Sequence, residues 1–243
     1  MTVSSEPEGP SGYSYAAVVA RSERDALLAV LQEIGFSGWV APPEDGWVVA
    51  VAAYAEDAVA QGRRGVVEVG ESVAGTGATV LAVRVLDDRQ LAIVAWSGGQ
   101  EVARYVSDPS REPGAAWDVL DEPIGVEGAA ALAETCGRPE VGEELAELLA
   151  EGLDPEEEIE SERLTRVLSL LGLPTWLVSA WVLPKRMPVG PSPKDLTRLR
   201  AGREGVGGLV AGRAARTVRR RRPAPVITDP PRDDGGPDDL MWL

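Results

Sequence analysis

Apolar residues along this chain change their spacing repeatedly, and each change marks a different kind of element. "YSYAAVVA" (13–20) is a short, nearly continuous apolar run and predicts a buried strand. In "SERDALLAVLQEIG" the period lengthens. Leu27, Leu28, Leu31 and Ile34 recur at helical spacing, Ser22 is placed to cap with Asp25 three residues on, and Gly35 supplies a stop. "GWVA" and "GWVVAVA" flank Asp45-Gly46, which predicts a hairpin. Residues 55–75 read as helix interrupted by Gly62, Gly65 and Gly70.

Three strand-like runs then follow closely: "TVLAVRVL", "QLAIVAW" and "EVARYV". The breaks between them, Asp87-Asp88-Arg89 and Ser97-Gly98-Gly99, are short turn sequences, so an antiparallel meander is expected. Alternation puts Leu81, Val83 and Val85 on one face and Val80, Ala82, Arg84 and Leu86 on the other. Both faces are largely apolar, which predicts a sheet covered on each side.

From about residue 125 the period is helical. "VEGAAALAETCG" and "VGEELAELLAEG" each end at glycine. In "DPEEEIESERLTRVLSLLGLP", Asp154 suits an N-cap, Pro155 the first helical position, and the glutamates that follow suit the positive end of the helix dipole. Ile159, Leu164, Val167, Leu168 and Leu171 form the apolar stripe, ended by Gly172 and Pro174. The fold class expected is α+β: an antiparallel sheet with a meander packed by helices, then a helical C-terminal part. From "VLAVRVLDDRQLAIVAWSGGQEVARYVSDP" to the closing "LGLP", over about residues 63–174, the chain resembles a group of bacterial α+β proteins common in actinobacteria. These share the meander, the acidic turn and the helical closure. The resemblance implies a fold class and carries no activity.

Charge divides the chain more sharply than periodicity does. Residues 1–184 hold 11 basic and 32 acidic side chains, residues 185–222 hold 12 and 2, and residues 223–243 hold 1 and 5. Prolines at 184, 188, 191, 193, 223, 225, 230 and 231 mark the same boundaries. The organisation expected is a disordered N-terminus (1–11) and an α+β domain (12–183). A Pro-rich linker with a basic segment (184–222) and an acidic disordered tail (223–243) follow. "SPKDLTRLRAG" opens like a helix, with Ser192 at the cap and Pro193 at its first position.

Several chemistries are excluded or weakened by composition. No histidine is present, which removes the commonest general base and metal ligand. A single cysteine, Cys136, excludes an intrachain disulfide and fits a reducing compartment. No secretory signal and no apolar run of about 18 residues is found, so a cytoplasmic location is expected and no transmembrane segment. "GESVAGTGA" (70–78) has GxxxxG spacing but Thr76 and Gly77 where a phosphate loop needs Lys and Ser/Thr; it reads as a helix end. "GVGGLVAGRAA" (205–215) fails in the same way, with Arg213 and Ala214 at those positions. The acidic run from Glu156 to Glu162 reads as a solvated helix turn, Asp87 and Asp88 as an exposed hairpin tip, and Cys136 as a small core residue. No catalytic residue, cofactor or metal is expected.

What remains are candidates for recognition. Trp176 and Trp181, in "TWLVSAWVL", would pack on the body as a short helix or anchor a partner. Arg213, Arg216, Arg219, Arg220, Arg221 and Arg222 concentrate the positive charge, and Trp242 sits in the terminal "DDLMWL". The basic segment reads as a solvated tail, as a strap docking on the acidic body or on a second copy, or as a binder of nucleic acid or anionic membrane. Three functions follow: a non-catalytic protein-interaction or regulatory protein, a tail-driven nucleic-acid or membrane binder, and an enzyme working through carboxylates alone.

Overall fold

The computed structural model describes residues 12–112, 115, 119–152, 159–205 and 208. Seven strands form one antiparallel sheet: β1 (Tyr15–Arg21), β2 (Gly38–Val40), β3 (Val48–Ala52), β4 (Thr79–Leu86), β5 (Gln90–Ser97), β6 (Gln100–Val106) and β7 (Thr197–Leu199), in spatial order β6-β5-β4-β1-β3-β2-β7. Among the described residues five α-helices accompany it: α1 (Arg24–Glu33), α2 (Val66–Ala74), α3 (Ala129–Thr135), α4 (Gly142–Ala150) and α5 (Glu160–Leu171). The protein is α+β.

The alternation in β4 does what its pattern dictates. Leu81, Val83 and Val85 join a core with Leu132, Leu145, Leu164 and Leu168 from α3, α4 and α5. Val80 and Ala82 join a second core on the opposite face with Leu27 and Leu31 of α1 and Val66, Val69 and Val73 of α2. The sheet is therefore sandwiched between two helical layers, which is why its strands read as continuous apolar runs. β1 pairs with β3 and β4, and β4–β5–β6 form the meander, with one irregularity in register between Ala95 and Trp96.

Local signals were honoured unevenly. Asp45 and Gly46, both at positive φ, turn the β2–β3 hairpin, and Gly35 ends α1 at φ +68°. Ser22 does not cap α1: β1 runs to Arg21, Glu23 takes the N-cap position without a side-chain bond, and Ser22 Oγ is buried with no partner among the described residues. The helix expected over 55–75 is confined to α2, after a short 3₁₀ turn whose Gly62 adopts φ +72°. Gly70 lies inside α2 because the helix touches the sheet there; a Cβ would stand 2.8 Å from the Trp96 ring and 3.1 Å from Ala82 Cβ. Gly70 to Gly75 is thus the end of a helix and its C-cap, with backbone amides engaged in the helix.

The largest departure concerns the boundary drawn at residue 183. Residues 192–199 form a turn and then β7, which pairs with β2 in the register Gly38↔Leu199, Trp39↔Arg198, Val40↔Thr197. The helix expected from Ser192 is absent, and the first half of the supposed linker and basic segment belongs to the domain. Leu196 and Leu199, which suggested a weak helical stripe, are buried against the sheet, as is Met187 in the proline-rich stretch.

Candidate functional site

One end of the sheet gathers an unusual share of buried polar groups. The β4–β5 turn, the lead into β1, the residues after β6 and the first turn of α5 converge there. Asp87 and Asp88 both adopt positive φ in that turn. Asp87 is exposed, as expected, but Asp88 is 3% exposed. Its burial has a clear cause: segments from both sides close over the hairpin tip. Asp88 Oδ2 accepts the Tyr13 N–H at 3.0 Å, its own N–H donates to Tyr13 O at 3.0 Å, and its carbonyl accepts the Glu160 N–H at 3.0 Å. Ser161 donates its hydroxyl to Asp88 Oδ1, and the Tyr15 phenol bonds Ser161 Oγ at 2.9 Å. With the serine proton directed at the carboxylate, Tyr15 is the donor of that second bond. Burial raises the Tyr15 phenol well above its ordinary range.

Glu160 stands one residue from this relay and is 0% exposed. The expectation of a solvated acidic turn holds for Glu162, which is exposed, and fails for Glu160; Glu156, Glu157 and Glu158 lie outside the described residues, as do Asp154 and Pro155. Glu160 faces Arg163, whose Nε is 3.7 Å from Glu160 Oε2. That is an ion pair without a hydrogen bond, and no hydrogen bond of ordinary geometry reaches either Glu160 oxygen or Arg163 Nε among the described residues. The rest of the guanidinium is well held: Nη1 donates to Tyr105 Oη at 2.8 Å and Nη2 to the Glu151 carbonyl. Tyr105 in turn donates to Leu149 O at 3.0 Å.

Burial pushes the Glu160 carboxyl above the usual range; the Ser107 hydroxyl and Arg163 offset this only in part, and Asp108 and Asp88 add to it. A carboxyl raised in the folded state binds more protons there than in the unfolded chain. Its contribution to stability is therefore lost as pH rises from the ordinary glutamate value through the raised one. Glu160→Gln, a neutral isostere, is expected to melt at a higher temperature than the parent at pH 8 and at the same temperature near pH 4. Thermal unfolding across that range measures it, and parallel profiles for the two proteins would contradict the assignment.

Beside Glu160 and Arg163 opens a cavity of about 320 Å³, walled by residues flanking β5, β6, α4 and α5. Its carboxylates are Asp108, Asp121, Glu122, Glu151 and Glu160; its guanidinium groups are Arg89, Arg111 and Arg163. Asp108 is engaged by the Ser110 N–H at 3.0 Å and by Arg111 Nε at 2.7 Å. Among the described residues no group of three or more acidic, cysteine or histidine side chains is arranged to hold a metal ion.

Of the residues that sequence reasoning singled out, Trp176 is core. It is buried, donates its indole N–H to Glu44 Oε2 at 2.9 Å, and lies under Gly190, where a Cβ would approach its ring to 2.7 Å. Trp181, in the same 3₁₀ stretch Thr175–Val182, is 42% exposed and stacks on Tyr13, 43% exposed, with ring centroids 3.6 Å apart and planes at 12°. Tyr13 also carries the backbone bonds to Asp88, so this aromatic surface borders the polar cluster. Cys136 is buried in the core as expected, and burial pushes its thiol up to about 12. Arg213, Arg216, Arg219, Arg220, Arg221, Arg222 and Trp242 lie outside the described residues, as does nearly all of 205–215. No helix among the described residues is long and apolar enough to cross a membrane. Comparison of the chain with protein-family models, with curated proteins and with solved structures finds no match.

Proposed function

We propose that the chain is a non-catalytic interaction or regulatory protein of the cytoplasm whose acidic domain binds another protein, or a second copy, through the Tyr13–Trp181 surface. The observation that carries this reading is the stacked pair itself: two large rings fixed against one another, each leaving about two fifths of its surface to solvent. Trp and Tyr are enriched where binding energy concentrates, because they bring area and a polar handle at little conformational cost. A pre-stacked pair loses less freedom on binding than two independent side chains. The chemistry on hand favours recognition over catalysis: the chain has no imidazole, and its one thiol is buried and held protonated.

Crosslinking under native conditions, with the full chain as bait, tests the proposal. Trp181→Ala is expected to leave the chain folded, losing about 0.5–1.5 kcal/mol of aromatic pairing plus the burial of the covered part of the ring, while abolishing capture of the partner. Equal capture by parent and variant, or self-association and partner capture both absent from the parent, would overturn it.

A further inference from the structure

The cavity beside α5 has a chemistry that the aromatic surface does not use, and the inference drawn from it stands apart from the protein-partner reading. We infer that this cavity is a binding site for a small monovalent organic cation, an alkylammonium or guanidinium group, received by the Glu160 carboxylate. The argument begins from hydrogen-bond accounting. A buried carboxylate normally collects several donors; Glu160 has the Ser107 hydroxyl nearby, but no hydrogen bond of ordinary geometry to either oxygen among the described residues. Arg163 does not supply them: its Nη groups are committed to Tyr105 and the Glu151 carbonyl, and its Nε stays at 3.7 Å. An incoming N–H⁺ group provides the missing donors and adds to the positive charge that Arg163 brings only at 3.7 Å.

The walls point the same way. Five carboxylates against three guanidinium groups leave the lining net acidic, so a cation is drawn in and an anion is repelled. A volume of about 320 Å³ suits a ligand of a few heavy atoms rather than a bare ion. A divalent metal is the poorer occupant, since no set of three ligating side chains converges among the described residues. Cation entry also has a proton cost. Glu160 lies against Arg163 of its own helix, Asp88 of the β4–β5 turn, Ser107 and Asp108 after β6, Tyr105 of β6 and Tyr15 of β1. Burial among these groups favours its protonated form, so a cation that binds the carboxylate displaces that proton.

Isothermal titration calorimetry on the full chain with butylammonium and ethylguanidinium, against butanol as a neutral counterpart, tests the inference. At least one cation is expected to bind saturably and butanol not at all. Affinity is expected to rise between pH 5 and pH 8, and the measured heat to vary with the ionisation enthalpy of the buffer, reporting the released proton. Glu160→Gln is expected to weaken cation binding at least tenfold while remaining folded. Absence of saturable binding by both cations overturns the inference, as does an unchanged affinity in Glu160→Gln. So does saturable binding of calcium ion with no response to either organic cation. Trp181→Ala should bind the cations like the parent, which separates failure here from failure of the protein-partner reading.

Discussion

Replacing Glu112 with alanine is expected to destabilise the protein by about 3 kcal/mol, the lower end of what loss of one partner costs a buried ion pair. Glu112 and Arg84 are paired with side chains only 4% and 6% exposed. Arg84 projects from β4 on the same face as Val80 and Ala82, so its charge sits at the edge of the apolar layer under α2. Burial lowers its pKa, yet a guanidinium does not surrender its proton in a protein; without Glu112 the charge stays in place with less to balance it. Gln90 offers one neutral acceptor at 3.0 Å, and Arg84 Nε has no partner among the described residues. Glu56 and Glu68 contribute a favourable field, which is why the lower end of the range applies. The double variant Arg84→Met, Glu112→Leu is expected to recover most of the loss, because two apolar groups of similar size have no charge to leave stranded. Urea denaturation of both proteins measures the effect as a shift of the midpoint at constant slope. A loss below about 1 kcal/mol for Glu112→Ala would mean that the pair is solvated in practice.

The same residue shows what periodicity conveys and what it conceals. Alternation in "TVLAVRVL" assigned Arg84 correctly to a face, because two-residue periodicity needs no knowledge of partners. It said nothing of Glu112, 28 residues away, whose arrival makes that position tolerable. α5 teaches a similar lesson from a signal that was visible. Glu160 and Arg163 occupy the helical positions that continue the stripe of Leu164, Val167, Leu168 and Leu171 toward its N-terminus. Two charged residues on an apolar stripe flag a buried ion pair, a signal masked here because acidic residues at a helix start are ordinarily solvated. Asp88 was misplaced for another reason. A hairpin tip is exposed unless something covers it, and the covering groups, Tyr13 and the first turn of α5, come from 75 residues before it and about 72 after it. The two-sided core and the meander follow from local pattern, whereas the place of β1 and β7 in the sheet and its polar end depend on long-range pairing and closure.

Removal of residues 185–243 is expected to damage the domain itself, lowering the melting temperature by roughly 10 °C or more. The reasoning rests on how 185–205 is built into the body. Met187, Leu196 and Leu199 are buried, and burial of such side chains is worth about 1.5–3 kcal/mol each. The conformational entropy returned to the truncated chain offsets part of that, and for a domain of this size each remaining kcal/mol is about 2–4 °C. Further ties run through this segment. Arg24 Nη2 donates to Thr197 Oγ1 at 2.6 Å, Ala201 N–H to Ser37 Oγ at 2.8 Å, Gly202 N–H to Phe36 O at 2.7 Å, and the Arg198 guanidinium lies 5.0 Å from the centre of the Trp39 ring. Cutting at 184 strips β7 from β2, exposing an unpaired strand edge that favours aggregation, and uncovers Trp176 beneath Gly190. The charge pattern had suggested one separable basic arm. The structure instead divides that arm, because Leu196 and Leu199 give its first half a reason to pack that net charge does not register. A test of nucleic-acid or anionic-membrane binding by Arg213, Arg216 and Arg219 to Arg222 should therefore compare the full chain with residues 1–208, which retains β7. Binding that weakens steeply with salt in the full chain and vanishes in 1–208 would assign it to those arginines. A cut at 184 that left thermal stability within a few degrees of the full chain would contradict the built-in role of β7.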